Sequence, residues 1–196
     1  MNPRLSAACA ISLLAAGCAT LPVAGVESDW PARRSELQAL DHWMLNGRIA
    51  VAAGSEGFSG GVNWRQDADR AVIELRGPMG GTAMSIRVDG QAVAITDDHG
   101  RVIDGEAAQD RIAEDIGTTL PVAEMRYWLV GVPAPGAAHR ETLGADHRLA
   151  ALEQGGWQVR YLRYETIGSQ VLPARMEITT ESLRLRVAVA DWRLPP

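Results

Sequence analysis

Between residues 48 and 104 the chain repeats one pattern: short runs in which apolar and polar residues alternate, each closed by a turn signal. "RIAVAA", "GGVNWRQ", "RAVIELR", "TAMSIRVD", "QAVAITD" and "HGRVID" are separated by stretches such as "QDAD", "GPMGG", "DG" and "DDHG". Period two is the signature of a strand with one buried face, and short turn-rich links between such runs force antiparallel neighbours. The pattern predicts an antiparallel meander. Ala71, Ile73 and Leu75 share one face of their run, Met84, Ile86 and Val88 share one face of the next, and Val93 and Ile95 continue it. One side of the sheet is therefore apolar.

The flanking segments switch period. "WPARRSELQALDHW" reads as a short helix with Leu37, Leu40 and Trp43 on its apolar side. "GEAAQDRIAEDIG" and "PVAEMRYWLVGVP" read as two more; the second starts at Pro121, carries a stripe of Val122, Met125, Leu129 and Val132, and stops at Gly131. A loop rich in Pro, Gly and Ala follows, and strands resume at "GGWQVRYLRYE", "PARMEITT" and "SLRLRVAVADWRL". The expected class is mainly β with helices (α+β), a curved antiparallel sheet with helices against its concave side. Such a body can be packed solid or enclose a cavity, and periodicity does not choose between them.

The N-terminus has its own logic. One arginine, Arg4, precedes the apolar run "LSAACAISLLAAG", which is too short to span a bilayer and ends in small residues, as a secretory signal does. "LLAAGC", Leu13 to Cys18, resembles the lipobox of bacterial lipoproteins, in which cleavage leaves a lipid-modified cysteine. The implied organisation is a signal peptide at 1–17, a lipidated N-terminus and tether at 18–29 with Cys18 as the anchor, and a single domain at 30–196. Ala19 after that cysteine resembles lipoproteins sent to the outer membrane of Gram-negative bacteria. Cys9 would leave with the signal and Cys18 would be consumed by lipid, so thiol chemistry and disulfides are not expected in the mature domain.

Charge excludes other classes. The formal net charge is −5, and all 19 basic residues are arginines, so there is neither a nucleic-acid footprint nor a lysine patch for anionic lipid. His42, His99, His139 and His147 show no ligand-like spacing, and no metal or cofactor is expected. "GFSGG" places Ser59 at the centre of a G-x-S-x-G pattern. That motif works on a strand-to-helix turn, whereas here it falls between two strand-like runs and reads as a glycine-rich hairpin. Asp97-Asp98 reads as a turn former. No catalytic residue is assigned, and a hydrolase using Ser59 is the weakest alternative.

"GPMGG", Gly77, Pro78, Met79, Gly80 and Gly81, is unusual because it sets an apolar side chain in a Gly/Pro turn. Such a residue is either incidental or meant to touch something apolar.

From Trp43 to Leu194 the order of "LNGRIAV", "GVNWRQ", "LRGPMGGTAMSI", "MRYWLVGVP", "GWQVRYLRYE", "LPARMEI" and "DWRL" resembles the LolB family of outer-membrane lipoprotein receptors. The resemblance implies an open half-barrel with a helical lid over a hydrophobic cavity. It also implies a monomeric, lipid-anchored receptor facing the periplasm, which accepts acylated lipoproteins from the carrier LolA and inserts them among outer-membrane phospholipids without an energy source. In that family the loop matching residues 77–81 carries an apolar membrane-insertion residue, typically leucine, here Met79. The acyl-chain cavity is expected from the inward residues Trp64, Ile73, Leu75, Met84, Ile86, Met125, Trp128 and Leu129. A scaffold lipoprotein with a closed core is the alternative from another class.

Overall fold

A computed structural model describes residues 29–54, 56–77, 81–116 and 118–195. The chain runs α1 (Trp30–Gln38), β1 (His42–Ala53), β2 (Glu56–Asp67), β3 (Arg70–Arg76), β4 (Thr82–Asp89), β5 (Ala92–Asp97) and β6 (Val102–Asp104). It continues α2 (Gly105–Ile116), α3 (Val122–Val130), β7 (His139–Leu143), β8 (Leu149–Gln154), β9 (Trp157–Ile167), β10 (Gln170–Thr179) and β11 (Leu183–Arg193). All eleven strands form one antiparallel sheet in the order β6-β5-β4-β3-β2-β1-β11-β10-β9-β8-β7.

Two meanders thus meet at the β1–β11 seam. β1 to β6 march outward on one side, the chain crosses through α2, α3 and the following loop, and β7 to β11 march back. The crossing must span the full sheet between its two edges, which lays the helices across the apolar face. β6 and β7 do not pair with each other, so the sheet is open.

The predicted meander is present with its faces as read. Ala71 opposes Val88, Ile73 opposes Ile86, and Leu75 opposes Met84; Ile86 and Val88 in turn oppose Ile95 and Val93. At the seam Asn46 pairs with Asp191 and Gly47 with Val189, leaving Ala190 as an extra residue in β11. This bulge reverses the alternation, so Trp192 points inward opposite Leu45 although Val187 and Val189 do as well.

Four local readings are corrected. Trp43 belongs to β1 rather than to the first helix, where it stacks on Trp64 at 5.9 Å and meets Trp192 edge-on at 5.4 Å. "GFSGG" is not a turn: β2 already begins at Glu56, and Ser59 is mid-strand opposite Ala50. Glycine is required there for close approach, since a Cβ on Gly60 would lie 2.0 Å from the Arg76 carbonyl oxygen. The segment after α3 holds two strands, β7 and β8, instead of a continuous loop. β10 begins at Gln170, upstream of "PARMEITT". No helix among the described residues is long and apolar enough to cross a membrane.

The two halves of the concave face are filled differently. Against β8 to β10, Leu149, Leu152, Leu172, Met176 and Ile178 are all at most 1% exposed beneath α3. This side is solid. Among the described residues, every strand, helix and core residue lies between Trp30 and Leu194.

Candidate functional site

The other half is hollow. A cavity of about 530 Å³ lies between β1–β4, β11, α2 and α3. Its walls are Ile49, Val51, Ala53, Phe58, Val62, Trp64, Ile73, Leu75, Met84, Ile86, Leu183 and Leu185 from the sheet, with Ile112, Leu120, Val122 and Met125 from the helical side. Glu114 is the one charged residue on the lining. Ile49, Val51, Leu75 and Met84 are only half-buried, so their apolar surfaces face unfilled space. Apart from Glu114, the described wall offers no charged side chain to orient a polar ligand. It suits a flexible apolar one.

Strand alternation builds the wall. Ile49 and Val51 follow the inward parity of Trp43 and Leu45 on β1, while Leu183 and Leu185 alternate with outward Arg184 and Arg186. The innermost wall is aromatic. Trp64 donates its indole N–H to Gln66 Oε1 at 2.9 Å, and the buried Gln66 amide donates onward to the carbonyls of Ala68 and Arg70 at 2.8 and 3.1 Å. The indole polarity is thereby satisfied without the cavity.

Six expected cavity residues, Trp64, Ile73, Leu75, Met84, Ile86 and Met125, line this one space. Trp128 and Leu129 do not. They lie a turn further along α3, packed on the solid side, where Trp128 meets Trp157 at 6.1 Å. A helix stripe continues along its axis, but the cavity ends. Ile49, Val51, Leu183 and Leu185, from the seam strands, complete the wall beyond the expected set, and their period-two alternation carries the same signal as the central meander.

The 77–81 turn adjoins the wall directly. Leu75, Ala83 and Met84 line the cavity, and the Gly77 N–H donates to the Gly81 carbonyl at 3.0 Å where the strands part. Pro78, Met79 and Gly80 lie outside the described residues, as does Cys18.

The remaining polar clusters have structural explanations. Asp97 accepts hydrogen bonds from the His99 and Arg101 backbone N–H groups, both at 2.9 Å, and from Arg101 Nε at 2.7 Å. The Arg101 backbone bond, aided by its guanidinium, holds this carboxyl below the usual range. Asp98 and His99 complete an exposed group that could bring ligand atoms together, yet Asp97 is already spent on closing its turn. Ser59 lies in a strand and not at the strand-to-helix turn that an activated serine of this motif needs.

The LolA superfamily protein of Nitrosomonas europaea superposes with a TM-score of 0.53 at 12% identity, covering 85% of this chain and 93% of its own. A DUF1329 family protein of Desulfovibrio piger gives 0.57 at 9% identity, covering 85% and 91%. These likenesses concern the fold. Closer in sequence are the outer-membrane lipoprotein LolB of Nitrosococcus oceani, 33% identical over 97% of this chain and 98% of its own length, and that of Stutzerimonas stutzeri, 35% identical over 93% and 92%. The family model described as outer membrane lipoprotein LolB matches residues 41–192. With a half-barrel, an apolar cavity and relatives alike over nearly their whole lengths, this chain belongs to the outer-membrane lipoprotein LolB family.

Proposed function

We propose that the chain receives acylated lipoproteins from a periplasmic carrier of the LolA type, shelters their acyl chains in the cavity, and releases them into the outer membrane. The observation that carries this reading is the apolar cavity with a single charged lining residue, set two residues from the 77–81 turn. Exposing a multiply acylated cargo to water would cost on the order of tens of kcal/mol, so it must pass from one apolar site to the next. Direction then comes from rising affinity alone, carrier to receptor to bilayer, with no energy source.

The volume of about 530 Å³ sits within the range of roughly 300–1,000 Å³ typical of small-molecule pockets. A cargo with several chains needs more room. α2 is the element able to give it, because only Ala108 and Ile112 among its described side chains are buried. One chain builds the whole cavity, so a monomer suffices. The protein is read as a binding and transfer protein, not a catalyst.

Two membrane devices divide the work. Lipid on Cys18, after removal of residues 1–17, contributes about 0.8 kcal/mol per buried CH₂ and anchors the protein through the 18–29 tether. Met79, with roughly 1.5–3 kcal/mol from burial of its side chain, acts as a membrane probe within the Gly77–Gly81 loop.

The test loads a LolA-type carrier with a labelled acylated lipoprotein, adds this protein as wild type or Met79→Glu, and then supplies liposomes. Capture by both with release by wild type alone supports the reading. If neither takes cargo from a competent carrier, the receptor reading fails and a scaffold lipoprotein is the better account.

A further inference from the structure

The outer face of the sheet carries a charge pattern that transfer of acyl chains does not use. One row of directly opposed residues crosses six strands: Arg76 faces Gly61, Gly61 faces Arg48, Arg48 faces Ala188, Ala188 faces Arg175, and Arg175 faces Arg163. Opposed residues share a face, and their inward neighbours Val62, Val187 and Met176 are buried, so the arginines point outward. With strands about 4.8 Å apart, the row spans roughly 24 Å.

The next row toward the strand ends reads Ala50, Arg186, Glu177, Arg160, and the one beyond it begins Ala52, Arg184. Seven arginines thus share the patch with Glu177, while Glu74 pairs with Arg76 at 3.3 Å and Glu165 with Arg163 at 3.6 Å at its margins. Glu177 is held below the usual carboxylate range, first by its hydrogen bond from Arg186 and then by the charges of Arg186, Arg184 and Arg160. Arg48, Arg175 and Arg184 form no ion pair among the described residues. The opposite sign is gathered elsewhere: residues 87–115 hold eight acidic residues and three arginines. In an acidic chain, the arginines of this face outnumber its carboxylates.

We propose that this arginine face is a contact surface for anionic phospholipid headgroups of the outer membrane's periplasmic leaflet. Its row begins at Arg76, the residue that immediately precedes residues 77–81 in sequence. Between the arginines stand Gly61, Ala50, Ala52 and Ala188, so small residues separate the cations across the middle of the face. Cations spread in this way suit a smeared anionic surface. The inference rests on the membrane attachment proposed above, which keeps the domain within a tether of the bilayer.

The experiment uses the unlipidated mature chain, residues 19–196, and vesicles of phosphatidylcholine alone or with phosphatidylglycerol, with no cargo present. Binding to the anionic vesicles is expected to be about tenfold tighter or more, and the difference should vanish at high salt. Arg48→Gln/Arg175→Gln/Arg184→Gln should abolish the preference, while Arg70→Gln/Arg101→Gln/Arg140→Gln, an equal change of charge away from the patch, should keep it. Equal binding to both vesicles overturns the proposal, as does equal loss in both variants. So does a patch variant that binds vesicles normally but fails to take cargo from the carrier, which would make the face a protein-docking surface. Because no cargo enters the vesicle assay, its failure is separable from failure of the transfer reading.

Discussion

Trp128 on α3 donates its indole N–H to Oε1 of Gln154 at the end of β8, at 2.8 Å. The same oxygen accepts the Ala134 N–H at 2.9 Å, and the Gln154 amide donates to the Ala134 carbonyl at 2.8 Å. One buried side chain thus satisfies three groups and pins the α3 exit to the edge of the returning meander. Tyr161 adds a bond to the Trp128 carbonyl at 2.9 Å.

Gln154→Leu should cost about 3 kcal/mol or more, because it strands the indole N–H and both polar groups of Ala134 in the core. Urea unfolding followed by tryptophan fluorescence checks this. Affinity for a fluorescent acyl probe, measured in the folded range, should stay unchanged, since Trp128 lies off the cavity lining.

Filling the cavity should separate binding from stability. Ile86→Trp projects into empty space beside Ile73, so its overpacking cost should fall at or below the low end of the usual 1–3 kcal/mol. Acyl-probe affinity should drop about tenfold or more, since each CH₂ denied burial forfeits about 0.8 kcal/mol. An unchanged affinity would mean that the probe binds elsewhere.

Gly47 marks the seam. A Cβ there would sit 2.3 Å from the Ala188 carbonyl oxygen, a backbone atom that cannot swing away, whereas a Cβ on Gly61 makes ordinary contacts, 3.4 Å to the Arg76 Cβ and 3.9 Å to the Gly47 carbonyl oxygen. Gly47→Ala should therefore destabilise by roughly 3 kcal/mol or more, by strain comparable to other large single-site effects, and speed amide exchange along β1 and β11. Gly61→Ala should cost under about 1 kcal/mol.

The buried tyrosines set an alkaline limit. Burial raises Tyr161 well above the ordinary tyrosine range, and burial likewise raises Tyr164 against the opposing charge of Arg33. A raised acid is neutral in the fold and easier to ionise in the unfolded chain. Its contribution is complete below the unfolded value of about 10 and is lost as pH rises past it. Tyrosinate absorbance of the folded protein should leave these two of the three tyrosines silent until unfolding releases them.

Glu177 works in the opposite sense. Its lowered carboxyl contributes above the ordinary glutamate range and the contribution is lost as pH falls through it. Glu177→Gln should flatten that part of the acid stability curve and cost less than about 1 kcal/mol at neutral pH, since Arg186 and Arg160 are themselves well exposed. It should also tighten binding to anionic vesicles by removing a carboxylate from the middle of the arginine face.

What was legible followed strong local patterns. The pairs Ile73–Ile86 and Ile86–Ile95 come directly from alternation interrupted by short turn-rich links. The end of α3 at Gly131, which adopts a left-handed conformation, was written in the same way. β8 escaped because "LAALEQ" is built of helix formers, and only pairing with β9 makes it a strand. β7 escaped because an edge strand with mostly exposed residues has no apolar face to read. "GFSGG" looked like a turn since glycine is the usual turn residue, yet its glycines serve close packing between strands.

The sequence by itself determined the three helices, the inward faces of the strongly alternating strands, the first meander, and the family through motifs in a set order. Tertiary structure decided that the concave face is solid beneath one half of the sheet and hollow beneath the other, that Met125 faces the hollow while Trp128 does not, and that scattered arginines align across six strands. Alternation is a property of each strand alone, whereas a void depends on the summed volumes of side chains from β1–β4, β11, α2 and α3, and a charge row depends on register between strands more than 100 residues apart. Neither quantity is carried by any local stretch of the chain.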